Sequence, residues 1–157
     1  MSQTLFSLST WIHALATVLF IGHYLLLTLI YLPAFGKHKP EVAGPILSEI
    51  SKRSRVWMYS SLLIFIVTGI YLMIVDPNYR GIGDFGNPWA VLMLVKHILI
   101  VGMIAMGFWF NAILRVGPLM SSNTGAEQAI LRFGSYSKWM AISGVLVLLL
   151  TALAQFE

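Results

Sequence analysis

The sequence predicts an all-α integral membrane protein, a four-helix bundle of up-down order with both termini outside. Three observations carry that class. Hydrophobic residues make up 58% of the 157 and charged residues only 10%, and the mean hydropathy is +0.82, well above that of a soluble domain. Several stretches are long enough to cross roughly 30 Å of hydrocarbon at about 1.5 Å per residue. Basic residues gather in alternate loops, which orients the chain.

The spans are read as one membrane domain over residues 1–157, with boundaries at about 5–32, 56–75, 88–114 and 133–156. The first runs from Leu5 to Leu32 and stops at Pro33. It lacks the basic start and small-residue cleavage site of a signal peptide and is too long for an h-region, so it reads as a retained span. The second runs from Val56 to Val75 and stops at Asp76-Pro77. The third begins at Asn87-Pro88-Trp89, an N-cap followed by proline in the first turn, and reaches Leu114. The fourth runs from Phe133 to Phe156.

Lys37, Lys39, Lys52, Arg53 and Arg55 lie in the first loop, and Arg115 and Arg132 at the edges of the third. The second loop has Arg80 beside Asp76 and Asp84. Loops one and three are therefore expected in the cytoplasm, and the chain in the inner (plasma) membrane. The formal charge of +4 belongs to these loops and signals no nucleic acid. Trp11, Trp57, Trp89 and Trp139 lie near span ends, as in an aromatic belt. Ile46, Leu47 and Ile50 have helical spacing, so the long first loop predicts a short interfacial helix or an extension of the second span. The second loop, rich in Gly, Pro and Asn, reads as irregular, and the third starts polar at Ser121-Ser122-Asn123-Thr124-Gly125.

The candidate chemistry lies inside the spans. His13 and His97 each sit about eight residues, or roughly 12 Å, below the outer start of their helices. Imidazole is costly in hydrocarbon, and such residues usually face a bundle interior or a cavity. In an up-down bundle the first and third spans are diagonal, so both rings can face the axis. Neutral imidazole ligates haem iron and copper alike. Lys96 adjoins His97 but points about 100° away from it; it is a candidate partner for a haem propionate or a metal ligand.

His23 lies about 15 Å deeper than His13. With Met106 it is a candidate for a second, inner metal or haem site, against the simpler reading of a structural hydrogen bond. His38, between Lys37 and Lys39, reads as solvated. Met103 and Met106, on one broad face with Lys96, suggest copper, since thioether suits Cu(I), but methionine is also ordinary packing material. Gly69, Gly102, Gly107, Ala141, Ser143 and Gly144 would let backbones approach or leave room for a porphyrin. The chain has no cysteine, which excludes disulfides, thiolate metal sites, iron–sulfur clusters and covalently attached c-type haem.

Trp11-Ile-His13-Ala-Leu-Ala, Phe20-Ile-Gly22 and Pro33 resemble the first helix of CopD-type copper-resistance membrane proteins. Thr68-Gly69 looks like that family's "TG", and Pro88-Trp89, Lys96, Gly107, Asn111 and Pro118 resemble its third helix. The related HemJ-type proteins, linked to protoporphyrinogen oxidation and haem b binding, share the first-helix histidine and third-helix lysine, which correspond to His13 and Lys96. The resemblance spans roughly Trp11 to Pro118, with departures. His23 stands where CopD-type proteins usually have a second glycine, Tyr31 to Ala34 reads YLPA rather than YLPR, and His97 is an addition.

Together these readings predict a CopD-like membrane protein that binds haem b through His13 and His97 or Lys96 and works in one-electron transfer. A quinone or a redox partner protein would be the other party. The alternatives are copper transport or resistance, an accessory subunit of a larger membrane complex, and a HemJ-like protoporphyrinogen oxidase. A homo-oligomer in the lipid bilayer is compatible with each.

Overall fold

The computed structural model describes residues 3–81, 86–110 and 125–156, and every regular element among them is helical. In chain order these are α1 (Gln3–Leu26), a π-helical turn (Leu27–Tyr31), α2 (Leu32–Phe35), α3 (Pro40–Val75), α4 (Pro88–Phe108) and α5 (Ala126–Leu153). Four helical stretches are long and apolar enough to cross a membrane, the first being the continuous run Gln3–Phe35.

That first span passes through Pro33 instead of stopping there. Proline lacks an N–H and its ring crowds the carbonyl four residues back. The π turn shifts the hydrogen-bond register just before it, so Pro33 falls in the first turn of α2, where a missing N–H is tolerated. The helix then ends at Gly36, whose N–H bonds the Leu32 carbonyl at 2.8 Å.

The second span begins at Pro40 rather than near Val56, because the first loop continues it as helix. This extension buries Ala43, Gly44 and Leu47, and Leu47 shares one apolar cluster with Ala129 and Phe133 of α5. Its solvent side carries a Glu49–Arg53 ion pair at 2.7 Å, one helical turn apart. α4 starts as its sequence predicts: the Asn87 side chain accepts from the Ala90 N–H at 2.6 Å, and its amide donates to the Asn78 carbonyl at 3.2 Å. The expected end of the third span, residues 111–114, and the polar start of the third loop, 121–124, lie outside the described residues. α5 begins at Ala126, ahead of the expected Phe133, so Arg132 is helical.

Neighbouring helices run antiparallel. α1 packs mainly on α3 and α5, and α4 mainly on α5, with little contact from α4 to α1 or α3. The ring order is thus α1, α3, α4, α5, with α1 and α4 on the long diagonal and the α3–α4 seam the loosest. Gly144 makes the α1–α5 approach possible, since a β-carbon there would stand 2.9 Å from Ile21 Cγ2. Gly102, by contrast, faces open space.

Phe20, Tyr24, Leu27, Met103, Phe133, Tyr136 and Met140 form the centre of the core. Val18, Leu29, Leu63, Val67 and Val101 are among the large apolar side chains on the outside, a surface suited to lipid rather than water. Trp11, Trp57 and Trp139 also project outward. Trp89 departs from the belt pattern: it is 5% exposed and meets Tyr79 edge-on at 6.5 Å.

Candidate functional site

His13 is held on α1 by groups from α3. Its Nδ1 lies 2.8 Å from Thr68 Oγ1. The ring stacks on Phe65 with centroids 4.6 Å apart and planes 20° from parallel. Gly69 provides the clearance, because a β-carbon there would sit 3.2 Å from His13 Cε1. The "Thr-Gly" pair of the second span therefore has a physical meaning. The threonine anchors the imidazole and the glycine leaves room for it.

The hydrogen-bond network assigns the tautomer. The Thr68 hydroxyl donates its single proton to the Ile64 carbonyl at 2.6 Å, so its oxygen must accept from His13. His13 Nδ1 therefore carries the hydrogen, and in the neutral ring Nε2 carries the lone pair. His97 reaches the same tautomer by another route. Its Nδ1 lies 2.6 Å from the Met93 carbonyl one turn back on α4, and a carbonyl only accepts. Each ring is thus fixed through Nδ1 and presents a basic Nε2, the arrangement in which a second partner orients an imidazole for metal ligation.

Lys96 lies on α4 at about the level of His13 on α1. It is partly buried. His97, about 100° round the helix from Lys96, is also partly buried. The structure therefore brings His13, Thr68, Phe65 and Gly69 together in the half of the bundle nearer the chain termini. His97 lies at that level on the same helix as Lys96, turned to its own backbone.

His23 lies in the other half, in a cavity of about 160 Å³ that all four spans line. Its ring meets Tyr24 edge-on at 5.3 Å. Met103, rather than Met106, shares that cavity with it; Met106 packs against the core cluster. Met103 is buried in the same cluster. His38 is exposed. No group of three or more His, Cys, Asp or Glu side chains converges among the described residues.

Sequence reasoning missed the hydroxyl pair at this depth. Tyr24 and Tyr136 hydroxyls lie 2.7 Å apart, and Phe110 stacks on Tyr136 with centroids 4.1 Å apart. The available signal was two tyrosines inside otherwise apolar spans, where a hydroxyl needs a partner.

No family model matches the chain, and neither a curated protein nor a solved structure is significantly similar to it.

Thr68→Val removes the acceptor for His13 while keeping side-chain volume, so it should cost about 1–3 kcal/mol. Thr68→Ser should cost clearly less. Unfolding of the detergent-solubilised proteins measures both, and equal stability of Thr68→Val and wild type would contradict the assigned bond.

Proposed function

We propose that this chain is a membrane redox protein that binds haem b in the half of the bundle nearer its termini, where His13 would hold it through its imidazole. The observation that carries the reading is an imidazole inside a membrane span, clamped by Thr68 through Nδ1 and stacked on Phe65, with Nε2 left as the basic nitrogen. A ligating histidine is ordinarily oriented through its other ring nitrogen in this way. The donors present are of the kind the group uses: an imidazole on α1 and, on α4, a lysine and a second imidazole with the same tautomer. The resemblance of His13 and Lys96 to the histidine and lysine of CopD- and HemJ-type proteins points the same way.

Bound haem supplies one-electron chemistry at its iron. The chain's own residues do the rest. Thr68 holds the donor nitrogen in place and Phe65 fixes the plane of the ring. Lys96, at about this level on α4, would offer positive charge to a propionate. The apolar spans keep the site dry, which with ligand identity tunes the potential of such a centre. Lys96 and His97 are the two α4 candidates for the propionate partner or second ligand.

The test is an optical spectrum of haem-replete purified protein, oxidised and reduced with dithionite. A Soret band with sharp reduced α and β bands is expected, lost in His13→Ala. A change in His97→Ala but not in Lys96→Met would assign the second ligand to His97, and the converse to Lys96. A featureless spectrum from folded protein would overturn the haem reading. Copper retained through His13 without a Soret band would then favour copper handling.

We place loops one and three in the cytoplasm and both termini outside, in the inner membrane, on the basic residues of the first loop. The absence of cysteine makes single-cysteine labelling clean. Gln155→Cys should react with a membrane-impermeant maleimide on intact cells and Lys39→Cys should not; the opposite pattern would invert the topology.

A further inference from the structure

The cavity at the depth of His23 belongs to none of the chemistry assigned to His13. It lies where α3 and α4 barely touch, and residues of both helices, Met58 and Leu62 on one and Met103 and Phe108 on the other, line it. Its walls are mostly apolar, but its polar groups have a consistent character. His23 and Arg55 can donate hydrogen bonds into the cavity, and no carboxylate is among the lining residues, while Ser54 donates to the Ser51 carbonyl and the Tyr24 and Tyr136 hydroxyls bond each other. The ring nitrogens of His23 have no hydrogen-bond partner in the protein among the described residues, and Arg55 has no carboxylate partner there. An imidazole in a membrane span with nothing to bond points to a ligand.

Size and access narrow the ligand. A volume of about 160 Å³ compares with roughly 150 Å³ for a cavity that accepts benzene. It therefore suits one six-membered ring rather than a porphyrin. The His23 and Arg55 donors call for a ring bearing hydrogen-bond acceptors, and the cavity lies between two loosely packed spans. A head group that must reach the cavity from the bilayer, with a long tail left outside, meets all of these conditions.

We propose that the α3–α4 cleft binds the head group of a lipid-soluble benzoquinone. One carbonyl accepts from His23 and the other from the Arg55 end of the cavity, while the isoprenoid tail leaves between α3 and α4. The proposal deepens the redox reading by giving the quinone a place, but it concerns binding alone and stands whether or not His13 carries haem.

The probe is a benzoquinone with a ten-carbon tail, titrated calorimetrically into the full-length protein in nanodiscs of neutral lipid. Saturable binding at one site per chain is expected. His23→Leu and the cavity-filling Leu62→Trp should each weaken it by about tenfold or more, the loss of one good interaction. His23→Gln, which keeps a donor, should recover part of the affinity. Val101→Trp, on the lipid-facing side of α4, should bind as wild type and controls for folding. No saturable binding by the wild type would overturn the proposal, as would His23→Leu and Leu62→Trp that bind normally. Complete competition by anionic phospholipid at equal concentration would also overturn it, by assigning the cleft to a lipid head group.

Discussion

The bond from His13 Nδ1–H to Thr68 Oγ1 joins the two helices that share the most intimate interface in the bundle, and the site depends on it. A threonine inside a helix ordinarily returns its hydroxyl proton to the carbonyl one turn back. Thr68 does so with Ile64, and this leaves its oxygen only the role of acceptor. The local helix bond thereby dictates the protonation of a ring on another helix. Phe65 and Gly69 complete the cradle on the same face of α3, one turn before and one residue after that threonine. Two side chains and the clearance at Gly69 thus define the orientation of a basic nitrogen inside hydrocarbon, where misorientation cannot be repaired by water.

The second organising constraint is the uneven packing of the bundle. α5 is the element on which α1 and α4 both rest, and the contact surface it offers is built around Phe133, Tyr136 and Met140. α4 is consequently held on one side only. That leaves a seam against α3 in which His23 and Arg55 lie around the larger cavity. A membrane bundle gains nothing from burying apolar side chains against each other rather than against lipid, so close contact follows small residues and polar partners. Gly144 and Gly69 mark such places here, and α4 carries neither toward α3.

Much of this fold could be read from composition and spacing. Twenty-residue apolar runs specify spans because no other structure satisfies the backbone in lipid, and the Asn87-Pro88 start of α4 is a local signal that acts locally. The passage through Pro33 was not legible, because a π turn upstream absorbs what proline alone would break. The α3 extension was half legible: Ile46, Leu47 and Ile50 announce a helix, but its fusion with the span depends on what Leu47 meets on α5. The site was legible as residues and not as geometry. His13 and Lys96 stand out by their cost in hydrocarbon, whereas the cradle of Thr68, Phe65 and Gly69 around His13 depends on how α3 packs on α1, which no spacing encodes. Nor did the spacing show that His97 turns to the Met93 carbonyl of its own helix. Tyr24 and Tyr136, distant in sequence, gave no sign of meeting.

The central claim is the state of one ring, and nitrogen-15 NMR of protein labelled at histidine reads it directly. His13 is assigned from the signal lost in His13→Gln. In metal-free protein the account predicts a pyrrole-type Nδ1 and a pyridine-type Nε2 for this residue, unchanged in Thr68→Ser. A pyridine-type Nδ1, with the hydrogen on Nε2, would contradict it.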